Sequence, residues 1–210
     1  MDEKISGIIE LLEKEYPDVR IALVHSNPFE LLIATILSAQ CTDKRVNDVT
    51  KELFKKYTSP HDYIKTSQEE LEKDIYSTGF YRNKAKNIKK LCEILVNDFN
   101  GKVPDTMEEL LTLPGVARKT ANIVLSSAFG KVEGIAVDTH VKRLSYRLGL
   151  TENTDPDKIE KDLMGLIPKK KWDVFSLLLI QHGRNICMAK KPLCIRCVLN
   201  KICPSAFTFG

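Results

Sequence analysis

The chain has 210 residues, of which 43% are hydrophobic and 29% are charged, a composition typical of a globular protein with one or two small domains. It contains no run of eighteen apolar residues, and residues 1–4 lack the apolar segment of a signal peptide. These features argue against a membrane or exported protein, and we expect an intracellular (cytoplasmic or nucleoid) location. The net charge of +4 is only a weak indication of an anionic partner.

Apolar spacing predicts helices in the first part of the chain. Residues 4–16 form an amphipathic pattern with a period of three to four residues. Asn27 and Pro28 supply an N-cap and a first-turn proline for a helix that runs to Leu37. This helix is apolar nearly all round, so we expect it to be the buried centre of the fold. Asp43 is predicted to cap the helix that follows.

Further helices are predicted by caps and by amphipathic spacing. Ser67 with Glu70 resembles a capping box at the start of a short helix. Residues 83–99 give the clearest amphipathic pattern, with lysines on the outer face. Asp155 and Pro156 begin another helix, and apolar spacing continues beyond it. Because no segment alternates as a strand would and no repeat is evident, the predicted fold class is all-α.

The segment 113–121, LPGVARKTA, predicts two helices joined by a tight hairpin. Thr106 and Glu109 resemble a capping box for the helix before it, and helical apolar spacing resumes directly after it. Gly115 can adopt the positive φ that such a turn requires. Backbone N–H groups of the hairpin lie beside a helix N-terminus, which predicts a phosphate-binding site.

Lys119 and Asp138 are the candidate catalytic residues. Lys119 lies in the first turn of the second helix, where the helix dipole opposes an ammonium, and a neutral lysine amine forms Schiff bases with carbonyl carbons. Asp138 follows an apolar run, and a carboxylate there could move a proton or stabilise a cationic transition state. The alternative is a solvated first-turn lysine and an aspartate that caps the next helix.

Basic residues are concentrated in two segments that contain no acid, 79–91 and 182–204. The second includes Lys190, Lys191 and Arg196. On a chain whose charges nearly balance, such segments indicate a surface directed toward a phosphate backbone. Solvated helix faces are the alternative.

Four of the six cysteines lie near the C-terminus with the spacing C-x6-C-x2-C-x5-C: Cys187, Cys194, Cys197 and Cys203. An intracellular chain of this size seldom uses cysteines as disulfides, and Pro192 and Pro204 favour a loop that could wrap thiolates around one centre. A zinc site usually pairs two short knuckles, and only one such pair occurs here. The spacing therefore favours an iron–sulfur cluster over zinc, with free or redox-active thiols as a third alternative.

Segment 113–121, followed by Val137-Asp138-Thr139-His140, resembles the helix-hairpin-helix and Asp loop of the DNA glycosylase superfamily. Within it, Lys119 together with Asp138 resembles the endonuclease III branch. The cysteine spacing is similar to the [4Fe–4S] loop of that branch, and the likeness extends from residue 37 to the last cysteine. Ala117 departs from the pattern, because the family hairpin usually has a second glycine there, and its methyl group could crowd a phosphate.

The resemblance implies two helical lobes. Residues 22–133 would form a six-helix lobe that contains the hairpin, and residues 1–21 with 134–210 would form a second lobe that carries a [4Fe–4S] cluster. DNA and the active site would lie in the cleft between them. Lys119 would attack the sugar, and Asp138 would stabilise the positive charge that develops on it.

The implied function is that of a bifunctional DNA glycosylase and apurinic/apyrimidinic lyase of base excision repair. It would remove oxidised pyrimidines such as thymine glycol from double-stranded DNA and cut the strand 3′ to the abasic site by β-elimination. The partner would be DNA with a damaged base or abasic site, with no membrane, and nothing demands more than a monomer. The residues expected to contact DNA are Gln40, Phe80, Gly115, Ala117, Lys190, Lys191 and Arg196.

Gln40 and Phe80 have specific expected roles. Gln40 resembles the family residue that fills the gap left by an extruded nucleotide, the alternative being an exposed helix-end glutamine. Phe80 could be an apolar wedge that pries base steps apart, the alternative being an ordinary core phenylalanine.

Two other functions remain open. One is a monofunctional mismatch or adenine glycosylase with the same fold and cluster, which Lys119 disfavours because those relatives usually lack an amine at this position. The other is a non-catalytic DNA-binding module, which would need neither Lys119 nor Asp138.

Overall fold

The computed structural model describes residues 3–208, which form helices joined by turns, with no strand among them. The all-α prediction is confirmed. In chain order the α-helices are α1 (Glu3–Glu15), α2 (Pro28–Leu37), α3 (Asp43–Lys56), α4 (Pro60–Lys65), α5 (Gln68–Ile75), α6 (Tyr81–Phe99), α7 (Met107–Thr112), α8 (Arg118–Phe129), α9 (Thr139–Arg147), α10 (Pro156–Leu166) and α11 (Trp172–Asn185). Short 3₁₀ helices occur at Tyr76–Thr78, Lys169–Lys171 and Cys194–Arg196.

The chain divides into two compact units. One is continuous, Ile21–Lys131, and contains α2 to α8. The other combines the described residues up to Arg20 with those from Val132 onward, and contains α1, α9 to α11 and the four C-terminal cysteines. We call them the continuous unit and the split unit.

Helix α2 is the centre of the continuous unit. Every residue from 31 to 37 is buried, as the all-round apolar pattern predicts. The helix packs against α3, α6 and α8. Burial of this kind contributes most of the stability of a helix in a folded protein. The loop that follows α2, and the first turn of α8, are therefore attached to the buried core of the unit.

Predicted N-caps account for several helix starts. In each, the side-chain oxygen accepts a hydrogen bond from the backbone N–H three residues further on: Asn27 from Glu30 (2.9 Å), Ser67 from Glu70 (3.1 Å), Thr106 from Glu109 (3.3 Å) and Asp155 from Lys158 (3.1 Å). These bonds satisfy donors that the first helical turn leaves unpaired. The predicted N-caps are confirmed, but the two predicted capping boxes are incomplete, since the Glu70 and Glu109 carboxylates accept from the hydroxyls of Thr66 (3.1 Å) and Thr106 (2.8 Å).

One predicted helix cap is wrong, and one helix start was missed. Asp43 does not cap α3, because it is the first residue of the helix and Thr42 is the cap, its Oγ1 accepting from the Arg45 N–H at 3.3 Å. Helix α4 was not expected at all. Its start is fixed by Asp62, whose Oδ2 accepts from both the N–H and the hydroxyl of Ser59 at 2.9 Å.

The split unit has its own apolar core. Helix α11 packs against α1 and α9, and α9 also packs against α10. Fully buried side chains from these helices meet at the centre, among them Ile8, Leu12, Leu163 and Phe175. The position of α9 matters for the site, because Asp138 lies at its N-terminus and arginines lie along it.

Within residues 3–208, no helix combines the length and the apolar character that crossing a bilayer requires.

Candidate functional site

The hairpin between α7 and α8 requires glycine at one position. Gly115 has φ = +82°, and a Cβ built there would lie 3.2 Å from Nδ2 of Asn87. An L side chain would therefore meet both backbone strain and a close neighbour. Leu113 and Val116 are buried on either side, so the exposed backbone of the hairpin is anchored by its apolar residues.

Ala117 does not need to be glycine. It is the N-cap of α8, with φ = −98° and ψ = 169°, extended backbone that any residue adopts. It lies outside the helix and is exposed. Its methyl side chain offers no oxygen to the first-turn N–H groups of α8, unlike the Ser, Thr, Asp and Asn caps elsewhere in this fold.

Lys119 is the second residue of α8, and its side chain is exposed. The helix is held in place by Ala121, Val124 and Leu125, which are completely buried in the core of the continuous unit. The amine is thus carried on a rigid support but faces solvent. Only a bound substrate could exclude water from this amine.

Asp138 is both the cap of α9 and a candidate acid. Its Oδ1 accepts from the N–H groups of His140 and Val141, each at 2.8 Å. The capping alternative is therefore correct for this oxygen. No hydrogen bond to Oδ2 occurs within residues 3–208, and the side chain is half-buried. One oxygen fixes the carboxylate, and the other stays available to a ligand.

His140 packs against Arg143, whose Nη2 lies 3.1 Å from Nδ1 of the His140 ring. Burial lowers the pKa of His140, and Arg143 and Arg184 lower it further, although Asp138 opposes them. The same Nη2 of Arg143 donates to the carbonyls of Gly183 and Cys187, both at 3.0 Å.

Gly183 allows α9 and α11 to approach closely, which gives a stability prediction. A Cβ there would lie 2.9 Å from Nδ1 and 3.1 Å from Cβ of His140. Alanine gains up to about 1 kcal/mol of helix propensity, but overpacking costs about 1–3 kcal/mol. We expect Gly183→Ala to lower the free energy of unfolding by about 1 kcal/mol, measured by urea denaturation.

Gly165→Ala is the matched control, because a Cβ at Gly165 in α10 would meet no atom within 4 Å. It should raise the stability by up to about 1 kcal/mol. If Gly183→Ala were equally stabilising, the close packing of α9 on α11 would be contradicted.

The four C-terminal cysteines line one cavity. The space, part of it open to solvent, measures about 340 Å³, and Arg147, Leu193 and Asn200 also line it. Within residues 3–208, no three His, Cys, Asp or Glu side chains are grouped so that they could hold a single metal ion. A tetrathiolate zinc site would place its sulfurs about 3.8 Å apart, from the 2.3 Å Zn–S bond and tetrahedral geometry. A [4Fe–4S] cluster binds each of four cysteine sulfurs to a different iron, and the four thiols that it would need all line this cavity.

Two of the thiols are poor candidates for redox exchange. Burial raises the pKa of the Cys197 thiol to about 11, and burial also raises the pKa of Cys203. A reactive thiol needs the opposite shift, toward thiolate near neutral pH. The thiols of Cys197 and Cys203 are therefore poor sources of a redox-active thiolate.

Two polar side chains lie against the cysteine sulfurs. Nη1 of Arg147 lies 3.3 Å from Sγ of Cys187, and Nε2 of His182 lies 3.2 Å from Sγ of Cys197. On its other side, Nδ1 of His182 lies 3.0 Å from the hydroxyl of Tyr16. Such contacts orient ligands and offset negative charge on sulfur.

The basic residues predicted to meet DNA are exposed on the cysteine loops. Lys190 and Lys191 lie between the first two cysteines, and Arg196 lies in the 3₁₀ turn between the next two. Arg147 fixes the first of these loops, since its guanidinium donates to the carbonyls of Met188 (2.8 Å) and Ala189 (3.0 Å). The positions of the charges therefore depend on the same loops as the cysteines.

The first basic segment is only partly a solvent-facing surface. Arg82, Lys86 and Lys90 are exposed. Lys84 and Lys89 instead turn inward to backbone carbonyls, those of Leu37 and Thr78 for Lys84 and those of Tyr63, Ile64 and Thr66 for Lys89. The interpretation of the whole segment as a phosphate-facing surface is wrong for these two lysines.

Gln40 and Phe80 are both exposed, and both have a left-handed backbone, with φ of 54° and 49°. Phe80 is 63% exposed, so the core alternative is wrong for it. The exposed loop position of Gln40 agrees with either interpretation.

Sequence reasoning missed Lys84, Arg143 and Arg147. Arg143 and Arg147 stand four residues apart on α9 and reach the same cysteine loop. The i,i+4 spacing on an amphipathic helix was visible, but the buried acceptors of the two side chains were not. Nothing in the sequence distinguishes Lys84 from the other lysines of segment 79–91.

Residues 33–169 match the HhH-GPD superfamily of base excision DNA repair proteins. With an all-helical fold and the hairpin before α8, this match defines the class, a helix-hairpin-helix protein of base excision repair. Endonuclease III of Synechocystis sp. is 55% identical over 204 residues, covering 97% of this chain and 93% of that protein.

Two solved structures agree with this chain over 99% of its length at 51% sequence identity. One is a non-covalent endonuclease III–DNA complex (TM-score 0.93, 98% of that chain covered), and the other is a trapped endonuclease III–DNA covalent intermediate (TM-score 0.92, 99% covered). The chain belongs to the endonuclease III family.

Proposed function

We propose that this protein is a bifunctional DNA glycosylase and apurinic/apyrimidinic lyase that removes oxidised pyrimidines, of the thymine glycol type, from double-stranded DNA. The observation that carries the proposal is the exposed amine of Lys119 in the first turn of α8, directly after the hairpin. The likeness to a protein trapped as a covalent DNA intermediate supports it, because such an intermediate requires a nucleophile on the enzyme.

Lys119 is the nucleophile of the first step. Its neutral amine attacks C1′ of the damaged nucleotide, the C1′–N bond to the base breaks, and the base leaves with that electron pair and takes up a proton. The duplex shields C1′, so the nucleotide must first be extruded from the stack. The extruded nucleotide also excludes water from around the exposed amine, and the loss of water makes the amine a stronger nucleophile.

Asp138 stabilises the positive charge that develops on the sugar as the base leaves. Two N–H donors of α9 hold its Oδ1, which leaves Oδ2 to interact with the sugar. A carboxylate fixed in advance costs little reorganisation in the transition state. The same oxygen can carry protons between the amine and the sugar.

Strand cleavage follows from the covalent adduct. The sugar ring opens when O4′ takes the C1′–O4′ electron pair and a proton, which leaves an iminium between C1′ and Lys119. The iminium acidifies C2′; loss of a C2′ proton forms the C2′–C3′ double bond and expels the 3′ phosphate. Water then hydrolyses the iminium and frees the lysine. No external oxidant or reductant is required.

The remaining predicted residues bind and shape the DNA. Backbone N–H groups at Gly115 and Ala117 would hold a phosphate at the start of α8. Phe80 would enter the base stack as a wedge while Gln40 fills the gap left by the extruded nucleotide. Lys190, Lys191 and Arg196 would contact further phosphates and make binding salt-dependent.

Cys187, Cys194, Cys197 and Cys203 would hold a [4Fe–4S] cluster. When bound, the cluster supplies cross-links between loops rather than a step of the reaction. Those loops carry the basic residues, and they contain only one short 3₁₀ turn of regular structure between Cys187 and Cys203. Four metal–thiolate bonds would hold them in a single conformation.

The proposal is tested by product analysis on a duplex with one thymine glycol. The expected result is that base release and strand cleavage occur together. Base release without cleavage would support the monofunctional glycosylase instead. DNA binding with neither product, on this lesion and on other damaged bases, would support the non-catalytic module.

Asp138→Asn separates capping from chemistry. Asparagine caps helices as well as aspartate, so we expect the stability to change by less than about 0.5 kcal/mol. Loss of the charge should lower single-turnover base release by about 10²–10³-fold. Asp138→Ala should lose a similar amount of activity and also about 1 kcal/mol of stability. Full activity in Asp138→Asn would make Asp138 a cap only.

A further inference from the structure

Gln40 and Phe80 rest on backbone that L-amino acids rarely adopt, with φ of 54° and 49°. Crowding of Cβ disfavours this region, and such conformations persist only where the surroundings hold them. Asn100, with φ of 52°, is an ordinary helix C-cap. Local hydrogen bonds hold each turn, from the Cys41 N–H to the Ser38 carbonyl (3.0 Å) and from the Gly79 N–H to the Tyr76 carbonyl (3.3 Å), but fixing one loop relative to the other needs a further contact.

Lys84 makes that contact. It lies in the first turn of α6, is only 5% exposed, and its Nζ donates to the carbonyl oxygens of Leu37 and Thr78, both at 2.8 Å. Leu37 is the last residue of α2, three positions before Gln40, and Thr78 stands two positions before Phe80. One ammonium therefore links the two loops.

A buried lysine at this position is energetically unfavourable, which indicates that its ammonium has a specific role. Burial lowers the pKa of Lys84, and the N-terminus of α6 also opposes a cation. No carboxylate forms a salt bridge with it within the described residues. An apolar side chain would pack without these penalties but could not join two carbonyls from separate elements.

We propose that Lys84 is a positioning residue that holds the loops of Gln40 and Phe80 at a fixed spacing, so that wedge and gap-filler enter the duplex together. Free movement of either loop would uncouple the two insertions and slow extrusion of the nucleotide. Displacements of about 1 Å cost reactions of this kind up to about 10²-fold. The inference rests on the DNA-inserting roles proposed above for Gln40 and Phe80.

The test measures the reaction rates of wild type and of Lys84→Met on two DNA substrates. One is a duplex with thymine glycol, which must be opened, and the other is a single-stranded oligonucleotide with an abasic site, which has no stack to enter. We expect Lys84→Met to lower single-turnover base release from the duplex by at least about 10-fold. Cleavage of the single strand should stay within about 2-fold of wild type. Rates are normalised to the fraction of enzyme that forms a borohydride-trapped adduct on the single strand.

Lys89→Met is the matched control. Lys89 lies on the same helix and donates to carbonyls at the end of α4, those of Tyr63 and Ile64 at 3.1 Å and that of Thr66. It should lose thermal stability but keep the wild-type ratio between the two substrates. Equal losses on both substrates in Lys84→Met, or no loss on either, would overturn the inference. If Lys84→Met does not fold, Lys84→Arg is used in its place. The guanidinium is wider than the ammonium and should push the loops apart, so base release from the duplex should fall while cleavage of the single strand is kept.

Failure of this inference can be told from failure of the proposed roles. Gln40→Ala and Phe80→Ala should each slow the duplex reaction and spare the single strand. If they slow it and Lys84→Met does not, only the role of Lys84 is wrong. If neither slows it, the inserting roles and this inference fall together. If wild type acts on neither substrate, the enzymatic function itself is wrong.

Discussion

Lys119→Ala is expected to abolish both reactions, lowering base release and strand cleavage by at least about 10³-fold. The reason is that one amine performs both steps, first as the nucleophile at C1′ and then as the nitrogen of the iminium. Affinity for undamaged duplex should change little, because a single exposed cation contributes one phosphate contact at most. Single-turnover kinetics on a thymine glycol duplex, with product separation on a denaturing gel, measures both losses.

Lys158→Ala is the matched control for this substitution. Lys158 is also an exposed lysine in the first turn of a helix, α10. Its removal should leave both rates within about 2-fold of wild type. A Lys119→Ala enzyme that still released the base at near wild-type rate would make water the nucleophile and the protein a monofunctional glycosylase.

Cys194→Ser is expected to prevent assembly of the metal centre. Wild type should contain about four iron atoms per chain and no zinc, with the visible absorption of an iron–sulfur cluster. The variant should lose the absorption and most of the iron, and the loops from Cys187 onward should become sensitive to proteolysis. Elemental analysis and limited proteolysis of both proteins measure these effects.

Cys41→Ser controls for the general effect of removing a thiol. Cys41 is half-buried in the continuous unit and does not line the cysteine cavity. Its substitution should leave the iron content unchanged. One zinc per chain in place of iron in wild type would contradict the cluster and restore the tetrathiolate alternative.

Local signals allowed much of the fold to be predicted. N-caps such as Asn27 and Asp155 act within one helical turn, so the residues that define them are adjacent in sequence. The all-round apolar pattern of 31–37 could indicate only a buried helix. Thr42 and Asp43 are a harder case, since both are good caps and neighbours in sequence, and propensity does not choose between them.

Helix α4 shows a local signal that was present but overlooked. Ser59-Pro60 with Asp62 is the same arrangement of cap, first-turn proline and acid that identified other helices. Its six residues are too few for a visible amphipathic period, so only the cap could have revealed it.

Long-range contacts at the candidate site could not be predicted. Lys84 reaches a carbonyl 47 residues away, and Arg147 reaches one 41 residues away. Nothing in the neighbouring sequence distinguishes these side chains from solvated ones. By contrast, Lys119 and Asp138 owe their positions to a hairpin and a cap, which are local, and these residues were proposed from sequence.

The most direct test is borohydride trapping of wild type on a duplex with one thymine glycol, followed by mass mapping of the adduct. Borohydride reduces an iminium to a stable amine, so a covalent protein–DNA band on a denaturing gel records the Schiff base. We predict a band in wild type, with the DNA remnant on the peptide that contains Lys119, and no band in Lys119→Ala. Base release without any trapped adduct, or an adduct on another residue, would contradict the account.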